Sequence, residues 1–496
     1  MANYVGIDLG TTFCAVAYID ETGRPQIVNN DRDQNITPSV VAKHKDRLIV
    51  GEFARKHWGN DDSKGAARFK RDMGTSTLQQ IDGNDYSPTE LSAAVLKELK
   101  KHTEDRIGPI TESVVTIPAN FSNEARDATM EAAKMAGLDV KYIINEPTAA
   151  ALYYAYQSDG DLSGSYVVFD LGGGTFDVSI IKVTGQDVEV LSSNGLHKLG
   201  GADFDFALWK LVAEKYKEES GEELTTEEFS MNDAEDAKKS ISERKKTTVE
   251  IEREFVDLSR IEFEESISSM LAQIEMMCET TLDEAEIDVS DISDVFLAGG
   301  STRMPLVQKI VEKVFHKKPT STVNVDEVVA LGASLYAAHK SDGSNLSDIQ
   351  KKSIDQLKVA ERTNCFLGTI TIGFSESKGE TLMNSILIKK GETIPCKVTK
   401  SYFTVHEGQS GIDCTITESK SPETDPRFVK IIHQESLDLP PDRPSEQEIE
   451  VTYAYDENQM IHASFKDVES GNEKTISISM SGQHQTSSDI NKFLVE

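Results

Sequence analysis

Three short stretches combine glycines, hydroxyls and acids in the way phosphate chemistry requires. Asp170-Leu-Gly-Gly-Gly-Thr175, followed by Asp177, lies between an apolar run at 167–169 and a β-branched run at 176–183. Three consecutive glycines weaken a strand but suit a tight hairpin where backbone approaches a ligand. The amides of such a turn form a concave anion site. Asp170 is placed for the divalent cation that accompanies phosphate, and Thr175 and Asp177 add a hydroxyl and a carboxylate. The plainer alternative is a glycine-rich hairpin with solvated acids. The same order of strand, Asp-Leu-Gly, Thr and strand recurs in Tyr4-Val-Gly-Ile-Asp-Leu-Gly-Thr-Thr12 and the run from Phe13. Asp8 matches Asp170 and Gly10 matches Gly172, which suggests an internal duplication. Duplicated hairpins can face each other and hold a nucleotide's phosphates from both sides. A third glycine turn, Leu297-Ala-Gly-Gly-Ser-Thr-Arg-Met-Pro305, also follows an apolar run. The three turns together favour nucleotide binding.

Other chemically able residues remain open at this level. Lys70 and Arg71 read first as a solvated helical face, and second as a cation (Lys70) reaching the γ-phosphate. Glu146, just before Pro147, is a helix-capping acid or an acid that orders water near a metal. Glu235, Lys238 and Ser242 share one helix face by their spacing, either as a surface ion pair or as a polar edge for ribose and adenine. The elements that must position these groups alternate. Ser87-Pro-Thr-Glu90 is a capping-box start, and Leu91, Val95 and Leu99 continue its apolar stripe. A strand at 113–119, a helix at 123–135 and a strand–turn–helix at 142–150 follow. Residues 206–246 read as helical and acidic, 262–286 as a long helix, and 306–315 and 328–339 as helices. This alternation implies an α/β fold with helices on mixed sheets. From Thr363 onward about eight short strands separated by turn residues imply an antiparallel sandwich.

Composition narrows the function. With 52 Lys and Arg against 84 Asp and Glu, the net charge is −32 over 496 residues. A nucleic-acid partner, which needs clustered cations, is not expected. No window has the length of an apolar membrane span, and the N-terminus lacks a signal pattern. Five scattered cysteines show neither zinc nor disulfide spacing, which points to a reducing cytoplasm. Cys14 beside the first turn reads as a buried thiol.

These motifs resemble the 70-kDa heat-shock chaperone family, DnaK type, over nearly the whole chain. Asp8-Leu-Gly-Thr-Thr12, Val115-Thr-Ile-Pro-Ala119, Ile144-Asn-Glu-Pro-Thr-Ala-Ala150, Asp170-Leu-Gly-Gly-Gly-Thr-Phe-Asp177 and Gly299-Gly-Ser-Thr-Arg-Met-Pro305 carry it by their order. The resemblance implies an actin-like (ribonuclease H-like) duplicated ATPase domain at 1–345, a linker at 346–362, a peptide-binding β-sandwich at 363–482 and a stub of a helical lid at 483–496. It implies ATP or ADP with Mg2+, and potassium as a further candidate ion. Thr11, Thr12, Gly173, Gly174 and Thr175 would hold phosphates, with Gly10, Phe13, Gly172 and Gly201 around them. Asp8, Asp170 and Asp177 would surround magnesium and its waters. Lys70, Glu146, Asp170 and Thr175 would be catalytic, in chemistry that rests on positioning and electrostatics. Glu235, Lys238, Lys239, Ser242, Gly300, Ser301, Arg303 and Asp326 would hold the adenosine. Pro118, Arg126 and Glu361 would relay nucleotide state, and Thr369, Phe403 and Ile412 would line the peptide groove.

Several departures bear on coupling and partners. The linker, Leu357-Lys-Val-Ala-Glu-Arg362, has Lys358 where the family has an apolar run. Each lost leucine removes roughly 1–3 kcal/mol of burial. Tyr142 replaces a basic residue used in docking J-domain partners, so that partner choice is expected to differ. Residues 245–262 are short where the family carries a projecting hairpin, which puts nucleotide-exchange factors in question. Thr369 stands where a pocket Ile is expected. A chain ending at the start of the lid is expected to exchange peptide fast. The expected function is an ATP-dependent chaperone, cytoplasmic and monomeric, for extended apolar segments of unfolded polypeptides. The alternatives are a non-cycling co-chaperone or binding protein that keeps ATP as a structural ligand, and a small-molecule kinase, which has no use for the sandwich.

Overall fold

The computed structural model describes residues 3–477 apart from 61, 159–160, 186, 253, 321–322, 342, 355–356, 376–378 and 457–459. The chain divides into two compact units, with the division between Val359 and Ala360.

The first unit is built on two sheets whose centres repeat one plan. In one, the hairpin Asn3–Asp8 and Phe13–Ile19 is antiparallel, and Ile110–Ile117 runs parallel beside its first strand, followed by Val140–Asn145. In the other, Ser163–Leu171 and Phe176–Thr184 form the hairpin, Ile292–Ala298 runs parallel beside its first strand, and Asp187–Leu196 continues the far side. Asp8 and Asp170 therefore occupy equivalent places at the ends of first strands. Parallel strands need helical crossovers, and the helices supply the cover that makes both sheets apolar on both faces.

Two helices, Glu146–Gln157 and Val328–Lys340, pack together in the core that also takes side chains from both sheets. Their alanines and glycine have a clear cause. A Cβ on Gly332 would lie 1.7 Å from the Ala149 carbonyl oxygen, and one on Gly6 would lie 2.1 Å from the Ser334 nitrogen. Only small residues permit this approach. The helix Pro88–Ile107 begins at the expected capping box, where Ser87 Oγ accepts from the Glu90 amide at 3.2 Å and Glu90 Oε2 accepts from the Ser87 amide at 2.8 Å.

The second unit is a sandwich of two four-stranded antiparallel sheets. One runs in the order Gly379–Ile388, Phe366–Ser375, Gly411–Ser419, Lys430–Asp438, and the other Cys396–Phe403, Glu448–Tyr455, Ile461–Asp467, Glu473–Ser477. Burial alternates along Glu448–Tyr455, as a strand with one face on a core requires. Tyr453 spans that core and donates its hydroxyl to the Gly368 and Thr415 carbonyls at 2.9 and 3.1 Å.

The structure refines several expectations. The segment expected as linker from 346 is largely part of the first unit, because Leu346, Ile354 and Leu357 are buried in its core. It contains the helix Asp348–Ile354. Within it Leu357 and Val359 pack inward while Lys358 points out and lies 3.5 Å from Asp187. The charged residue thus interrupts the sequence run but not the apolar face, since successive residues of an extended chain point to opposite sides. The helical residues within 206–246 belong to two helices, Gly201–Ser220 and Met231–Glu243, separated after the left-handed Gly221. The short region at 245–262 still forms a hairpin, Lys246–Ile251 with Glu254–Ser259. The lid stub at 483–496 lies outside the described residues. Among the described residues no helix is long and apolar enough to cross a membrane.

Candidate functional site

The two hairpin turns meet. A Cβ on Gly173 would fall 1.8 Å from Thr12 Oγ1, and one on Gly174 would fall 2.1 Å from Thr11 Cγ2. The glycines are needed because the facing threonines occupy that space. The second loop is held from behind by a helix start: the Gly201 and Ala202 amides donate to the Gly172 and Gly173 carbonyls at 2.9 and 2.8 Å. Ser301, from the third glycine turn, donates to the Gly172 carbonyl at 3.0 Å. Three segments far apart in sequence are thereby locked around one cavity of about 460 Å3.

Nearly every residue singled out for the nucleotide reaches this cavity. Asp8, Gly10, Thr11, Thr12, Phe13, Lys70, Glu146 and Asp170 line it. So do Gly172, Gly173, Gly174, Thr175 and Gly201. Glu235, Lys238, Lys239, Ser242, Gly300, Ser301, Arg303 and Asp326 complete the predicted lining. Asp177 is buried just beneath, paired across the hairpin with Asp170. Ile36, Asp205, Met304, Val325 and Val329 also line the cavity, and sequence reading missed them. Asp205 could have been found, since it lies one helical turn after Gly201. The apolar members carry no local signal.

Lys70 is not on a solvated face. It sits in the short turn Phe69–Asp72 and is 4 % exposed, with Nζ 2.5 Å from Glu146 Oε1. Glu146 opens the helix Glu146–Gln157, which fixes its carboxylate at the cavity wall. Burial pulls the Lys70 ammonium down, but Glu146 and Asp8 outweigh it and hold the pKa above the ordinary lysine value. Lys70 therefore stays charged. The acids are pushed the other way. Asp8 is raised to about 7, by burial first and the Glu146 charge second, with Lys70 and Thr116 opposing. Asp177 is raised to about 8 by burial and Glu146. Asp170 is raised well above its ordinary value by burial, Glu146 and the neighbouring aspartates.

Such a cluster fits a divalent cation, which would relieve the mutual repulsion of Asp8, Asp170 and Asp177. Among the described residues no three His, Cys, Asp or Glu side chains converge closely enough to chelate an ion directly. Asp8, Asp170 and Asp177 are the residues that would hold such an ion.

Elsewhere in the lining Lys238 donates to the Gly201 carbonyl at 3.0 Å and pairs with Asp205 at 2.7 Å. Glu235 pairs with Lys239 at 2.7 Å and with Arg55 at 2.8 Å. Arg303 donates to Asp326 at 2.6 Å and Asn324 at 2.8 Å. Cys14 is buried against Ser39, and burial pushes its thiol up to about 12, which makes it inert.

The remaining expectations lie elsewhere. Pro118 is buried, and Arg126 is fully buried, donating to the Phe121 and Ala119 carbonyls at 3.3 Å. Glu361 is half-buried in the second unit, opposite Ile394. In the sandwich Phe403 is exposed and Ile412 packs partly against the core. Thr369 is 2 % exposed and offers no surface to a peptide; its position faces the core that Tyr453 spans. Ile372 and Leu382, paired across neighbouring strands, are instead exposed. Tyr142 is half-buried, with the Lys340 ammonium 5.4 Å from its ring centre.

The cavity is lined by three glycine turns together with charged, hydroxyl and apolar side chains, a lining that fits a nucleotide. The Hsp70 protein family profile matches residues 4–82 and 75–496. The chaperone protein DnaK of Deinococcus proteolyticus is 33 % identical over 518 aligned residues, covering 96 % of this chain and 79 % of that protein. The chain belongs to the Hsp70 family of ATP-binding chaperones.

Proposed function

We propose that this chain is an ATP-driven chaperone with an actin-like, duplicated ATPase domain. The first unit hydrolyses ATP to ADP and phosphate, and the sandwich takes extended apolar segments of unfolded polypeptides. Nucleotide state sets the grip by favouring one arrangement of the units over another. The observation that carries this reading is the buried Lys70–Glu146 pair facing three raised aspartates inside the glycine-walled cavity.

Water attacks the γ-phosphorus, the bond to the β–γ bridging oxygen breaks, ADP leaves with that electron pair, and the water's protons stay on the released phosphate. Glu146 orients the water and receives hydrogen-bond donation from it. The Lys70 charge faces the developing negative charge of the transferred group, where electrostatic preorganisation counts most. Thr11, Thr12 and the amides of Gly173 and Gly174 hold the phosphates in line, and Thr175 offers its hydroxyl beside them. Bound magnesium would supply charge neutralisation among Asp8, Asp170, Asp177 and the phosphates. Glu235, Lys238, Ser242 and Arg303 hold the adenosine end.

Extended peptide would add main-chain hydrogen bonds to the sandwich and place one apolar side chain in a pocket, with Phe403 and Ile412 as its wall. A J-domain partner would meet Tyr142, with the Lys340 ammonium against its ring, in place of a basic residue at that position, and an exchange factor would meet the short hairpin 246–259. The site of action is proposed to be the cytoplasm.

Single-turnover ATP hydrolysis with and without an apolar peptide tests the reading. Peptide should accelerate turnover, and Lys70→Ala should slow it by about 100-fold or more with nucleotide affinity little changed. Tight ATP binding by the wild-type chain without any turnover would favour a non-cycling binding protein instead.

A further inference from the structure

The residue after Lys70 has no part in the cavity wall, yet it makes a two-pronged ion pair across the site. Arg71 Nη1 and Nη2 donate to Asp203 Oδ1 and Oδ2 at 3.1 and 2.5 Å. Neither residue lines the cavity. The pair joins two elements that must be in register for phosphate chemistry. On one side, Arg71 and Lys70 share the tight turn Phe69–Asp72, which is entered through Arg68 at φ 61°. A bulky residue held in the left-handed region needs surroundings that fix it. On the other side, Asp203 is the third residue of the helix Gly201–Ser220 and accepts from the Gly200 amide at 2.8 Å. The next two amides, of Gly201 and Ala202, hold the Gly172 and Gly173 carbonyls. A second, more exposed pair, Lys198 with Asp72 at 3.6 Å, joins the same turn to the segment just before that helix.

We propose that Arg71 and Asp203 are positioning residues: their ion pair sets the Lys70 turn against the Gly172–Gly174 loop and slows nucleotide release. This rests on the ATPase reading above. The pair spans 132 residues and joins the strand system of the first hairpin to that of the second. An Arg–carboxylate fork fixes direction as well as distance, which a lysine cannot do. Once the fork opens, Lys70 keeps its charge and its Glu146 partner but loses its fixed distance from the phosphate loop. Misplacement on the scale of an ångström is enough to slow a positioned reaction by up to about 100-fold.

The test uses the full chain and the variants Arg71→Ala, Arg71→Lys, Asp203→Asn and the double variant Arg71→Ala/Asp203→Asn. Single-turnover hydrolysis at saturating ATP and dissociation of a fluorescent ADP are measured, with thermal unfolding to show that each variant is folded. Arg71→Ala should lower the hydrolysis rate by roughly tenfold or more with KM for ATP within about threefold, and should speed ADP release. Arg71→Lys should recover only part of the rate. The double variant should be no slower than the worse single variant, as expected of two groups acting as one unit. Should the wild-type chain bind and hydrolyse ATP while folded Arg71→Ala and Arg71→Lys match it in both rates, the positioning role is wrong and the ATPase reading stands. Additive losses in the double variant would also overturn it. A wild-type chain that binds no nucleotide overturns the ATPase reading and this role together.

Discussion

The threonines at 11 and 12 and the glycines at 173 and 174 show how much one atom can decide. Each glycine lies where a Cβ would enter the opposing threonine. Gly173→Ala is therefore expected to push the two hairpins apart and to weaken ATP binding by tenfold or more, measured by calorimetry, while Gly83→Ala, where a Cβ meets nothing within 4 Å, leaves affinity unchanged. The glycine run was legible in sequence as a tight turn closely approached by another segment, because no other residue type tolerates such approach. Lys70 was not legible in the same way. Its neighbours look like a polar helix face, and only its contact with Glu146, 76 residues away, shows that it is buried and charged.

At the scale of the element, local chemistry was read most directly. Ser87 and Glu90 announce the helix Pro88–Ile107, and Ser87→Ala should lower the unfolding free energy by about 1 kcal/mol, seen in a denaturant titration. Strand ends were less legible than strand cores. Lys430–Asp438 runs well past the apolar residues that signal it, because its pairing with Gly411–Ser419 continues through polar positions. The end of Ile461–Asp467 offers a pH test. Asp467 is fully buried and pairs with Arg443, and Ser470 Oγ donates to it at 2.7 Å. Burial raises its pKa, but Arg443 and Ser470 outweigh that and leave it below the ordinary aspartate value. A depressed acid contributes stability above its unfolded pKa and loses it as pH falls through its folded value. The sandwich should thus lose stability as pH drops below about 4, and Asp467→Asn should flatten that loss. The same variant leaves Arg443 with only the more exposed Glu469 as its anion, so it should also lower stability at pH 7 in chemical unfolding.

For the whole molecule, the segment before the second unit carries the clearest expectation. Leu357 and Val359 bury on the first unit while Lys358 faces out. If this segment transmits nucleotide state, Val359→Ser should reduce peptide stimulation of hydrolysis severalfold and leave unstimulated hydrolysis within about twofold, since Val359 packs partly buried against the first unit's core. Lys358→Ala should change neither, because an exposed pair of this kind contributes little. Both are read in one steady-state ATPase assay. The acidic composition was informative at this scale too. A net charge of −32 is the reason no nucleic-acid partner is expected.

What the sequence determined by itself is what residues a few positions apart can settle: the glycine turns, the helix caps, the change from mixed α/β to strands after Thr363, and the membership of a family whose motifs occur here in order. Tertiary structure decided which charges are buried and with whom. The Arg71–Asp203 fork, the burial of Lys70, the core position of Thr369 and the inward face of Leu357 and Val359 all depend on partners brought together from distant parts of the chain. Residue type gives a charge or a hydroxyl its capacity, but burial and partner choice set its energy, and those exist only once the sheets have paired and the helices have packed.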